Sequence, residues 1–107
     1  KIARLNDDLR RDGRGRGGIF VTPGFQALSE DKKREASRKI VNFETEVGFS
    51  QEDDPYGEHD FGAVEVDGRK IFWKIDYHGR DLDTPCADPA DPENTTRVLT
   101  IMLAEEY

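Results

Sequence analysis

Phe61-Gly-Ala-Val-Glu-Val66-Asp67-Gly68-Arg69-Lys-Ile71-Phe-Trp73-Lys-Ile75 carries the strongest local instruction in this sequence. Two runs of alternating apolar residues flank Asp-Gly, the dipeptide that accepts the positive φ angles of a two-residue hairpin turn. A loop of those two residues fixes the register: 66 opposes 69, 65 opposes 70, 64 opposes 71, 63 opposes 72 and 62 opposes 73. Val64, Val66, Ile71, Trp73 and Ile75 then share one face, with Trp73 lying across Gly62. On the other face Phe61 opposes Lys74, and the same count sets His59 beside Asp76.

The flanking chain supplies the rest of the expected fold. Ile2, Leu5 and Leu9 repeat at helical spacing and stop at Gly13, which predicts a short amphipathic helix. Gly13-Arg-Gly-Arg-Gly-Gly18 breaks regular structure, and Ile19-Phe20-Val21 reads as a short strand closed by a turn at Thr22-Pro23-Gly24. Ser29, followed by Glu30 and Asp31, predicts a helix start, and Ala36, Ile40, Phe43 and Val47 continue it as one apolar stripe. Residues 78 to 91, with Gly79, Pro85, Pro89 and four aspartates, predict a long loop. Asp91-Pro92-Glu93 has the form of a helix start, so Val98-Leu99-Thr-Ile101-Met102-Leu103, apolar almost all round, is expected as the most buried helix. The expectation is a single α+β domain spanning residues 1–107, in the order α-β-α-β-β-α. Its small, three-stranded, largely antiparallel sheet would be one short strand plus the hairpin, packed with about three helices.

Composition narrows the function classes. The 107 residues are 36% charged and 35% hydrophobic, with a net charge of −7. Cys86 is the one cysteine, so no internal disulfide forms, and no apolar run suits a signal or a membrane span; a cytoplasmic home is expected. Charge is divided along the chain. Residues 1–18 hold six basic side chains against three acidic ones, whereas Glu44 to Asp67 holds nine acidic side chains and neither Lys nor Arg. Such an acid-only span attracts basic partners and repels phosphate. It also resembles a phosphate backbone in charge, which suits the basic groove of a protein that handles nucleic acid.

The densest polar stretch is Asp53-Asp54-Pro-Tyr56-Gly-Glu58-His59-Asp60. With Lys74, Asp76 and Tyr77 of the hairpin, the residues Asp54, Tyr56, Glu58, His59 and Asp60 form the candidate binding surface. Imidazole beside carboxylate is the pairing a general base needs, so His59 oriented by Asp76, with His78 or Glu58 completing the site, is the candidate catalytic set. The same pairing also serves as a hydrogen-bonded lock with no substrate. No His-Glu-x-x-His or Cys-x-x-Cys motif is present, so neither a metal nor another cofactor is expected. Arg10, Arg11, Arg14 and Arg16 in the glycine-rich head are the candidate nucleic-acid contacts, a reading the acidic body disfavours.

The strings Asp54-Pro-Tyr-Gly-Glu-His-Asp-Phe-Gly62, Ile71-Phe-Trp-Lys-Ile-Asp-Tyr77, Asp88-Pro-Ala-Asp-Pro92 and Arg97-Val-Leu-Thr-Ile-Met-Leu-Ala-Glu-Glu-Tyr107 resemble the hallmark blocks of a bacterial domain-of-unknown-function family, numbered 3768. Leu5-Asn6-Asp7 and the glycine stretch before Ile19 extend the resemblance to the head of the chain. Lys32, Lys33 and Lys39 make one helix more charged than the family pattern. The resemblance implies a bacterial setting on a plasmid or integrated element and carries no activity or catalytic residues. Three functions follow as expectations. The first is a non-enzymatic acidic accessory protein that binds and modulates a protein partner, including one that handles nucleic acid. The second is a small hydrolase or nuclease using a His59/Asp76 acid–base or metal site, and the third is nucleic-acid binding through the arginines; the missing catalytic motif weighs against an enzyme.

Overall fold

A computed structural model describes every residue except Arg16. The helix α1 (Ile2–Asp12) leads to the strand β1 (Gly17–Val21), then to α2 (Pro23–Gln26), α3 (Glu30–Val41) and α4 (Phe43–Glu46). Strands β2 (Phe61–Val66), β3 (Arg69–His78) and β4 (Thr96–Leu103) follow, and a 3₁₀ turn at Ala104–Glu106 closes the chain. The sheet order is β1-β4-β3-β2, with β1 parallel to β4 and the other pairs antiparallel.

The architecture is α+β, and it corrects the expected sheet and element order. The sheet is four-stranded and mixed, not three-stranded and largely antiparallel, because residues 96–103 form a strand rather than a helix. The Asx turn at Asp91 does form, its Oδ1 accepting the Glu93 N–H at 3.1 Å, but no helix follows it. Thr95, Thr96, Val98, Thr100 and Ile101 are β-branched and favour extended backbone. β4 lies between β1 and β3; its Leu99, Ile101 and Leu103 are buried on the helix-covered face, and Met102 is buried on the other. With apolar Val98 and Met102 on the face the helices leave open as well, the strand lacks polar alternation and imitates a buried helix in sequence.

The hairpin register is as expected, extending from Val66↔Arg69 to Phe61↔Lys74. Asp67 and Gly68 take φ angles of 51° and 76°, the left-handed pair of a two-residue turn. Gly62 is required there: a Cβ would come within 2.5 Å of Phe43 Cζ and Trp73 Nε1.

The helices cover one face of the sheet. Gly13, at φ 69°, ends α1 and returns its N–H to Leu9 O. Ser29 caps α3, its hydroxyl accepting from the Lys32 N–H. The expected long helix is broken at Asn42 into α3 and α4; Ala36, Ile40 and Phe43 are buried, whereas Val47 is exposed. Thr22-Pro23 opens α2 with a Thr cap and Pro in the first turn, instead of simply turning the chain. Leu9, Ile40, Phe43 and Trp73 centre the core, Phe43 meeting Trp73 edge-on at 5.3 Å. No helix among the described residues is long and apolar enough to cross a membrane.

Candidate functional site: an acidic cleft beside a buried polar lock

The segment between α4 and β2 decides where the candidate residues go. Asp60 O still accepts from Ile75 N at 2.8 Å, so the hairpin ladder runs one step past Phe61. His59 then takes φ 56° and the chain leaves the sheet. This single left-handed residue carries its ring to the helical side, away from the face that holds Asp76. The expected pairing of His59 with Asp76 is therefore absent: His59 Nδ1 donates to Asp7 of α1, at 3.0 Å and 3.2 Å from its two oxygens. Asp76 instead pairs with Lys74 at 3.1 Å. The His59 ring stacks on Phe49 at 3.8 Å with an interplanar angle of 4°, and Asp54 holds the turn by accepting the His59 N–H at 3.1 Å. His78 ends β3 and bridges to Pro85, so it joins neither group.

Around His59 lies a network anchored by α1. Asn6 is fully buried; its amide donates to Glu58 O at 2.9 Å and to Tyr77 Oη at 2.8 Å, and its carbonyl accepts from Arg97 Nε at 2.8 Å. Tyr77 in turn donates to Glu58 Oε1 at 2.8 Å, and burial together with that carboxylate pushes the phenol well above its ordinary range. Arg10, also buried, donates to Ile40 O and Val41 O at the end of α3, to Asp7 and to both oxygens of Glu44. Partial burial raises the Glu44 carboxyl, but the hydrogen bonds from Arg10 and Arg11 and from its own backbone outweigh it and bring the pKa down to about 2. These are the contacts of a lock: each polar group is tied to another element, and the network joins α1, α3, the 50–60 segment, β3 and β4.

Sequence reasoning missed Asn6, Asp7, Phe49, Glu44 and Arg97 as members. One signal was present, since Asn6 and Arg10 are four apart beside the Ile2, Leu5 and Leu9 stripe, a polar pair aimed at the core. The arginine reading changes with it. Arg10 is buried, Arg11 pairs with Glu44, Arg14 is exposed with Asp12 at 3.9 Å, and Arg16 lies outside the described residues.

On the opposite, uncovered face of the sheet is a cleft of about 470 Å³. Glu52, Asp53, Asp54, Asp60 and Asp76 line it with Lys74 as the one cation among its lining residues, alongside Tyr56, Phe61 and Tyr107. Five of the eight expected binding residues, Asp54, Tyr56, Asp60, Lys74 and Asp76, thus meet here, while Glu58, His59 and Tyr77 belong to the lock. Burial, then repulsion from Glu58, Asp54 and Asp76, raises the Asp60 carboxyl. Phe61, Phe72 and Tyr107 meet edge to face at 5.2–5.8 Å on the same side. A second hollow of about 380 Å³ shares Lys74 and Tyr107 and continues toward Thr22, Thr100 and Met102. No cluster of three or more His, Cys, Asp or Glu side chains suited to a metal ion occurs among the described residues.

A model of the family described as Protein of unknown function (DUF3768) matches residues 21–106. The chain belongs to the DUF3768 family. The matched span of this DUF3768 protein contains His59 and every cleft-lining residue except Tyr107, whereas α1, which supplies Asn6, Asp7 and Arg10, precedes it. No curated protein and no solved structure matches the chain.

Proposed function

We propose that this protein is a non-enzymatic interaction module that takes a basic segment of a protein partner into the cleft beside Tyr107 and modulates that partner. The observation that carries the reading is the cleft lining: five carboxylates and one lysine, opening beside exposed aromatic edges and continuing into a second hollow. Carboxylates without enough cations near them attract guanidinium and ammonium groups, and aromatic rings add cation–π contact to the same side chains. Phosphate is repelled by the same field, so the partner is a protein rather than a nucleic acid, and a nucleic-acid-handling protein with a basic loop or tail fits. The hydrolase reading lost the geometry that motivated it when His59 turned to Asp7. A bacterial, mobile-element setting, implied by the sequence resemblance, and a cytoplasmic home complete the proposal.

The test is calorimetric titration with an oligo-arginine peptide and with an oligo-glutamate peptide of equal length. The basic peptide binds at low salt and weakens steeply as salt rises, and the acidic one does not bind. Asp53→Asn combined with Asp76→Asn weakens the basic peptide by about tenfold, equivalent to ~1.4 kcal/mol. Equal affinity for the double variant, or no binding of the basic peptide at low salt, overturns the reading.

A further inference from the structure

Two arginines among the described residues are buried, and they are held differently. Arg10 meets Asp7 at 2.9 Å and Glu44 at 2.7 Å. Arg97 shows 5% of its surface, yet its hydrogen-bond partners are all neutral. Its Nε donates to Asn6 Oδ1 at 2.8 Å and its Nη2 to Pro89 O, while Nη1 meets no acceptor among the described residues. One face of the guanidinium lies 5.3 Å from the centre of the Tyr77 ring. Burial pulls the Arg97 pKa below the ordinary guanidinium range; Glu58, a lesser opposing influence, is engaged by the Tyr77 hydroxyl at 2.8 Å. A cation taken out of water is costly unless an anion accompanies it, so Arg97 carries a charge that the fold itself leaves without a direct counterion.

A cavity of about 70 Å³ opens beside it, between α1 and the loop that enters β4. Leu5 and Pro92 give it apolar walls, and Arg14, three-quarters exposed, stands at its mouth. The half-buried Asp8 lines it as well. We propose that this cavity is a binding site for a carboxylate group carried on a short apolar stem, with Arg97 as its counterion. The two N–H groups of Nη1 are charge-assisted donors of the kind a carboxylate oxygen accepts strongly. The volume exceeds the ~30 Å³ that one water occupies in the liquid, which gives room for a headgroup rather than a whole cofactor. Charge narrows the ligand further. Arg97 and Arg14 against Asp8 leave one positive charge, so a monoanion neutralises the cavity and a dianion is in excess. The cavity shares no lining residue with the acidic cleft, and the two sites take ligands of opposite sign.

NMR titration of the intact chain with sodium acetate, against sodium chloride at equal ionic strength, reads the site through the Arg97 Nε–H and Thr95 amide signals. Acetate is expected to move both saturably, with a Kd of about 1–10 mM, and sulfate to bind at least about threefold more weakly. Asp8→Asn removes the one carboxylate among the lining residues, so it tightens acetate by about threefold and brings sulfate level with it. A gain of that kind does not come from a damaged fold. Arg97→Gln abolishes the acetate response; should it fail to fold, the Asp8→Asn gain stands in its place. N-acetyl-dialanine with a free carboxyl end, beside its amide, identifies the source of the group. Tighter binding of the free acid than of acetate assigns the cavity to a chain end, and weaker binding assigns it to a small free acid. Equal responses to acetate and chloride leave the cavity to water and bulk salt and overturn the proposal. So does acetate binding that Asp8→Asn leaves unaltered.

Discussion

Arg10 is the residue whose loss is felt by the most elements. Its side chain is fully buried, its guanidinium sits 5.5 Å above the Trp73 ring, and its partners are two carboxylates and two helix-end carbonyls. Arg10→Met keeps much of the volume but strands those acceptors. The expected loss is ~3–5 kcal/mol, a large part of the stability of a domain this size, read as a fall in the urea midpoint. Glu44 adds a pH dependence of definite sign. Its folded pKa, about 2, lies below the ordinary 4.5, so its stabilisation is complete above about 4.5 and is lost as pH falls through about 2. Asp60, shifted upward, has the opposite sign, its contribution being lost as pH rises. Urea melts across pH 2 to 6 are therefore expected to show a steep acid limb in the wild type that flattens in Glu44→Gln. Most candidate residues were legible one by one, because Asp54, Tyr56, Asp60, Lys74 and Asp76 are a concentrated polar stretch and its cross-strand partners. The pairing of His59 was not, since one positive φ at His59, with no glycine to announce it, reversed the side on which its ring lies.

Among the elements, the hairpin was legible in full because its turn chemistry and its apolar alternation agree, and both are local. Gly62 tests that agreement. A methyl there meets Phe43 and Trp73 at 2.5 Å, two large rings buried in the core, so Gly62→Ala is expected to cost ~1–3 kcal/mol by thermal melt. A methyl at the turn residue Gly68 has nothing within 4 Å, and steric crowding would add nothing to its backbone strain there. β4 was illegible for the opposite reason: an apolar run of this length carries no period when both faces bear apolar side chains, and Asp91-Pro92-Glu93 supplied a false helix start. The β-branched count from Thr95 to Ile101 was the signal that pointed the right way.

Across the whole molecule, the charge division seen along the chain becomes partly internal in three dimensions. The basic head is drawn in by Arg10 and Arg11, which meet Glu44, at the start of the acidic span. Glu52, Asp53, Asp54 and Asp60 of that span gather at the cleft, where Lys74 is the one cation among the lining residues, while Glu46 pairs with Arg38 and Glu58 belongs to the lock. No sequence pattern announced that Glu44 would be neutralised, because its partners Arg10 and Arg11 lie 34 and 33 positions away. The lock and the cleft lie back to back, with Asp54 contributing to both. Occupation of the cleft thus bears on the wall that holds the His59 turn.

The strand order has a consequence for how the polypeptide is made. β4, the last strand to be synthesised, lies between the first strand and the third. While the nascent chain is still emerging from the ribosome, β1 has no hydrogen-bonding neighbour and the hairpin stands alone, so assembly of the sheet waits for Thr96–Leu103. Translation that halts before Thr96 leaves a sticky, half-built sheet for chaperones and proteases to find, which makes the arrival of β4 the checkpoint of this sheet.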